Sequence, residues 1–196
     1  QIRATHLTAD SLMPTAPSHG RWLVVGLGNP GPKYEHTRHN LGTRVVEALR
    51  VSLEQPPFRA ARALSARVSE GSVILAIPTT FMNDSGEAVA ALVQKFRVPL
   101  DHLIVVHDDK DLAFGKLKLQ RGRGAAGHRG VDSIIAVVGS NNFWRLRVGI
   151  GAPPAGVETD TYVLEPFTQA EEKKLHQDIL PHALERLVSL IQTSMP

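Results

Sequence analysis

From Arg21 onward, short apolar runs rich in β-branched residues alternate with stretches whose apolar residues recur every three or four positions. Trp22 to Leu27, Ala66 to Val68, Val73 to Pro78, Leu103 to His107, Phe114 to Leu119 and Leu146 to Ile150 have the length and composition of strands. Leu41 to Leu53, Ser85 to Phe96, Val131 to Val138 and Gln169 to Gln192 carry the helical period. The last is expected to break or kink near Pro181 and to lay Leu175, Ile179, Leu184, Leu187 and Ile191 on the sheet. This order predicts an α/β fold, one domain over residues 21–196 with a twisted, largely parallel sheet and helices on both faces. The second and third runs are joined around Glu70-Gly71, which predicts an antiparallel hairpin and therefore a mixed sheet.

A chain of 196 residues, 42% hydrophobic, fills one sizeable core and leaves little room for two. Nothing approaches the ~18 consecutive apolar residues of a membrane span, so no membrane role is expected. The absence of Cys removes thiol nucleophiles and thiolate metal sites, and it suits a reducing compartment. Residues 1–20 are polar and without apolar period; they read as a disordered leader or cloning remnant, with Met13 a credible native start. A transit peptide has only Arg3 in its favour. The net charge is only +3, yet Lys116, Lys118, Arg121, Arg123, Arg129, Arg145 and Arg147 crowd one stretch. Such a cluster can be the footprint of a phosphate-rich partner, although on charge alone a solvated loop face is the better reading.

The polar residues that carry chemistry fall where strands end. In LVVGLGNPGPKYEHTRHNLG an apolar strand runs into a turn bearing Asn29, Tyr34, His39 and Asn40. Gly26, Gly28 and Gly31 match the spacing of a dinucleotide fingerprint, but Pro30 and Pro32 oppose a helix starting there, and Ala66 to Val68 ends in Ser69 rather than an acid. The glycines are therefore expected mainly to shape a tight turn that presents Asn29. PTTFMNDSG ends a strand at Asn83 before a helix that Asp84 or Ser85 can cap. VVHDDKD ends another with His107, Asp108 and Asp109, and GRGAAGHRG leads His128 and Arg129 into a helix. In a parallel sheet the carboxyl ends of strands share one edge, so these loops can share a crevice. Neither HTRH nor HDDKD completes a metal signature, so no metal and no cofactor is expected. Without G-x-S-x-G, Ser85 is no nucleophile, and water activated by an imidazole remains.

Taken together, GLGNPGPKYEHTRHNLG, PTTFMNDSGEAV, VVHDDKDL, GAAGHRGVDSI and FWRLRVGIG resemble, in order and spacing, the bacterial-type peptidyl-tRNA hydrolases over Trp22 to about Leu164. The resemblance implies hydrolysis of the ester joining a peptide to the 3′ end of tRNA, which recycles the tRNA. It implies His39 as catalytic base, Asp108 as its partner and Asn83 in contact with the substrate, where its carboxamide is expected to act as a further catalytic group by positioning the water and donating to the oxyanion. Asn29, Tyr34, Phe81, Met82, His128 and Arg129 are then expected at the substrate and Lys118 and Arg147 on tRNA phosphates, and Arg123, in the arginine-enriched loop between Lys118 and His128, is expected to join them. Arg129 stands where the family's GHNG motif has Asn, and a guanidinium there, unable to accept a hydrogen bond, is expected to meet the terminal phosphate or ribose.

The chemistry is coherent. A carboxylate beside an imidazole fixes the tautomer whose free nitrogen takes a proton from water, and an activated ester needs no covalent intermediate. The stretch from Ala152 to Glu165 is expected near the site as a lid. Action as a monomer in the cytoplasm is expected, with mitochondrion or plastid as alternatives. Two rivals stay open: a relative that binds RNA without turnover, and a nucleotide-dependent oxidoreductase.

Overall fold

The structure is a computed structural model that describes residues 21–193; the expected leader over 1–20 lies outside the described residues. Among the described residues seven strands form one sheet in the order β2-β3-β4-β1-β5-β7-β6. They are β1 Leu23–Gly26, β2 Arg59–Ala61, β3 Ala66–Glu70, β4 Ile74–Pro78, β5 Leu103–Asp109, β6 Leu117–Arg121 and β7 Trp144–Gly149. The central four, β4, β1, β5 and β7, are parallel, while β2 and β3 on one side and β6 on the other run antiparallel to their neighbours. The expected hairpin is β3 with β4, in the register Val68 opposite Ala76. Its first strand extends to Glu70, an acid, but β3 is antiparallel, and Glu70 lies beside Ile74 at the edge remote from the glycine turn.

Because side chains alternate along a strand, the sheet buries two apolar faces. On one face Val24, Leu75, Ile104, Val106, Leu146 and Val148 pack under α1 (Leu41–Ser52) and the C-terminal helical segment. On the other, Leu23, Val25, Ile74, Leu103 and Val105 pack under α2 (Ser85–Phe96) and α3 (Arg129–Val138). The carboxyl ends of β1, β4, β5 and β7 share one edge, and the loops that leave them build the site.

Helix starts depart from expectation in an informative way. Asp84 sits at the N-cap of α2 without a side-chain cap bond, and the Ser85 hydroxyl donates back to Met82 O. The α2 N-terminus is instead satisfied from α3, whose Ser133 Oγ accepts from Gly86 N–H at 2.9 Å. A four-residue helix, α4 (Thr159–Tyr162), interrupts the stretch expected as a lid. The C-terminal segment runs as α5 (Gln169–Lys174), a π turn (Leu175–Ile179) and α6 (Leu180–Thr193). Pro181 has no N–H for the carbonyl one turn back, and the wider π turn just before it carries the helix past the proline. Leu175, Ile179, Leu187 and Ile191 are buried on the sheet as expected, with Leu184 partly so.

Candidate active site

The site begins with a close approach of backbones. A Cβ on Gly26 would lie 2.4 Å from Gly42 O, and one on Gly42 would lie 2.2 Å from Val106 O, so α1 starts in direct contact with the ends of β1 and β5. Gly28 is equally tight against Thr43 and Asn40, and of the motif's glycines only Gly31 needs a positive φ. The glycines thus bring helix and strands together as well as turning the chain. No helix starts within them; a single 3-10 turn, Pro32–Tyr34, follows. Asn40 clasps the loop, accepting from Asn29 N–H at 2.8 Å and donating to Asn29 O at 2.9 Å. Asn29 Oδ1 accepts from Met82 N–H at 2.8 Å, which leaves the Asn29 amide hydrogens for the cleft.

A 3-10 turn at Arg38–Asn40 presents His39 toward the end of β5. There His39 Nδ1 lies 2.9 Å from Asp108 Oδ1, and His128 Nε2 lies 3.0 Å from the same oxygen. An ionised carboxylate only accepts, so both nitrogens carry protons and donate to it. The His128 tautomer is fixed independently, since its Nδ1 accepts from Val131 N–H at the start of α3. For His39 the remaining nitrogen, Nε2, is then the proton acceptor. Burial alone would raise the Asp108 carboxyl, but the charge of His39 and His128 and their N–H donation hold it far below the usual carboxylate range. His107, behind them, donates from Nδ1 to Asp108 O at 2.7 Å. Burial, followed by the His128 imidazole 4.6 Å away, depresses its affinity for a second proton.

His39, Asp108 and His128 place one ligating atom each within 4.8 Å of one another. The two nitrogens in that triangle bear the protons given to Asp108, and Val131 N–H holds His128 in that tautomer, so the arrangement fits a proton relay better than a cation. The carboxylates of HDDKD do not converge. Asp109 takes the Arg147 guanidinium and Asp111 N–H, while Asp111 pairs with Lys110. His36 lines another groove, with Gly28, Asn40 and Arg44, that His39 does not line.

Two adjoining hollows meet at His39. One is walled by Asp108, Ala125, His128 and Thr159; the other by Asn29, Phe81, Met82 and Asn83. Arg129, Asp160 and Val163 line both. Tyr34 stands edge-on to the exposed Phe81 ring, 6.4 Å between centroids, at the rim. Sequence reasoning missed Thr159, Asp160 and Val163 as individuals, although the Ala152 to Glu165 stretch lies where it was expected. Arg129 meets Asp160 Oδ2 at 2.5 Å across the hollow, a partner that no motif spacing indicates.

A profile described as peptidyl-tRNA hydrolase matches residues 23–196. This chain belongs to the peptidyl-tRNA hydrolase family. It is 44% identical to the peptidyl-tRNA hydrolase of Aquifex aeolicus, covering 88% of this chain and 91% of that one. It is 45% identical to that of Wolinella succinogenes, with 88% of each covered. Its fold superposes on the crystal structure of peptidyl-tRNA hydrolase from Acinetobacter baumannii with a TM-score of 0.83 at 31% identity, over 91% of this chain and 93% of that one.

Within this peptidyl-tRNA hydrolase fold the expected phosphate-binding cations differ in what they are free to do. Lys118 and Arg147 are opposite each other on β6 and β7, and Lys118 is exposed. Arg147 is bound to Asp109 and Gln120, with a side chain only 12% exposed. Arg123 is exposed, and its carbonyl, with that of Gly124, accepts from the buried guanidinium of Arg145. Arg145 thus pins the Gly-rich loop that delivers His128 and is lost to the basic surface. Ala126 and Gly127 take φ of 53° and 78° in that loop, a left-handed pair that turns the chain into α3.

Proposed function

We propose that this chain hydrolyses the ester between peptide and tRNA in peptidyl-tRNA and releases tRNA for reuse, with His39 as general base and Asp108 as its orienting carboxylate. The observation that carries the mechanism is the 2.9 Å contact of His39 Nδ1 with Asp108 Oδ1 at the meeting point of the two hollows. His39 Nε2 takes a proton from water as the hydroxide adds to the ester carbonyl carbon. Collapse of the tetrahedral intermediate expels the ribose oxygen, which receives that proton from the imidazolium. Asp108 keeps the ring in the productive tautomer and stabilises the imidazolium. Asn83 and the Asn29 amide, which line the hollow beside His39, donate to the developing oxyanion, a role worth about 3 to 4 kcal/mol for such donors. Tyr34, Phe81 and Met82 form the acyl side, while Lys118 and Arg123 meet tRNA phosphates.

No step in this scheme calls on a second chain, and the chain is read as a monomer of a reducing compartment such as the cytoplasm, which a Cys-free composition suits. Among the described residues no helix is long and apolar enough to cross a membrane. The test is deacylation of labelled peptidyl-tRNA by wild type and His39→Ala. The variant is expected to turn over about 10²–10⁴-fold more slowly while binding tRNA normally; near-normal turnover would remove His39 as the base.

A further inference from the structure

We propose that Arg38 is a positioning residue for the dyad, and that its buried guanidinium sets where the His39 ring stands. The proposal rests on His39 being the base. Arg38 is 5% exposed, an unusual burial for a guanidinium, and it occupies the chain position next to His39. Its Nη1 donates to Pro166 O at 2.8 Å and Glu165 O at 3.3 Å, and its Nη2 to both Glu171 carboxylate oxygens, at 3.0 and 3.3 Å. The central guanidinium carbon, Cζ, lies over Tyr162 and Phe167, 4.4 and 5.3 Å from their ring centres. The neighbouring backbone is tied to the same segment, Arg38 N–H to Glu165 O and His39 N–H to Val163 O at 2.8 Å.

That segment leads back to the carboxylate. The Tyr162 hydroxyl donates to Ile150 O at 2.8 Å, and Ile150 N–H donates to Asp109 O at 3.0 Å, one residue beyond Asp108. A closed circuit therefore runs from His39 through Arg38, Tyr162 and Ile150 to the end of β5 and returns through the His39–Asp108 hydrogen bond. Glu171 belongs to it as well, because its carboxylate both receives Arg38 and caps Thr168 N–H at the start of α5. A lysine at position 38 would keep the charge but could not fork to two carbonyls and a carboxylate from its place over Tyr162.

The test compares wild type with Arg38→Lys and Glu171→Gln in kcat, KM, melting temperature and the downfield imidazole N–H proton resonances. Arg38→Lys is expected to fold, to lose about 10- to 100-fold in kcat with KM little changed, and to lose the His39 Nδ1–H resonance while keeping that of His128 Nε2–H. Glu171→Gln should move the same quantities less. Unchanged kcat and an intact His39 resonance in folded Arg38→Lys would overturn the proposal. So would joint loss of both resonances with stability, because that is the mark of a general packing role. Should Arg38→Lys fail to fold, an unaltered kcat and His39 resonance in Glu171→Gln would overturn it equally. The resonances report the ring's position without turnover, so failure of His39 as the base would appear separately, as an active His39→Ala.

Discussion

His107 shows how a single buried side chain is assigned a protonation state by its surroundings. It is enclosed beside His128 and Arg145, and its affinity for a second proton is depressed in the fold. In the unfolded chain an ordinary imidazole titrates near pH 6.5. Below that pH the unfolded state binds a proton that the native state refuses, so His107 contributes nothing to folding above about pH 6.5 and opposes it increasingly as pH falls below that value. With a limiting slope of about 1.4 kcal/mol per pH unit, native stability should drop by about 1 kcal/mol between pH 7 and 5.5 on this account alone. Urea unfolding at the two values should show that drop in wild type and a smaller one in His107→Asn. An equal drop in both would place the titration elsewhere.

At the scale of elements, the start of α1 is seated on strand backbone with no room for a methyl group. Gly42→Ala would press a Cβ against Val106 O and Leu27 N, and the turn carrying His39 would shift with the helix. Overpacking of this kind costs about 1–3 kcal/mol, which for a chain of this size lowers the melting temperature by roughly 2–12 °C. Turnover should fall with it. Gly124→Ala is the control, since a Cβ there meets nothing within 4 Å and its φ is ordinary, and its melting temperature should stay within about 1–2 °C. Elements with a strong local pattern are the ones legible in sequence, such as α2, whose bounds Ser85–Phe96 match the expectation. The strand β2, reading only Arg-Ala-Ala, exists because β3 offers it an edge, and α4 is a single turn held by its neighbours.

The whole molecule determines which cations are available to a polyanion. Lys118 and Arg147 share a register position and a sequence resemblance, yet Asp109 neutralises one and leaves the other in solvent. Lys118→Ala should reduce the slope of log affinity for tRNA against log salt by about one, because one phosphate contact fewer releases one counterion fewer. Arg147→Ala should leave that slope unchanged and instead lower stability by about 3–5 kcal/mol, since it strands a buried carboxylate. Binding measured from low to moderate salt, beside denaturant melts, separates the two. Equal slopes for wild type and Lys118→Ala would remove Lys118 from the contact surface.

The alternation of strand and helix, the hairpin, and the loops bearing Asn29, His39, Asn83, Asp108 and His128 at strand ends were decided by the sequence, because periodicity and turn chemistry act over a few residues. Tertiary structure alone decided that Arg38 reaches Glu165, Pro166 and Glu171, that Arg129 meets Asp160, that Arg147 is spent on Asp109, and that His107 stays neutral. Partners such as Arg38 and Glu171 lie 133 positions apart in the chain. A side chain's charge, tautomer and freedom depend on what folding packs against it, and local spacing carries no record of contacts made at that distance.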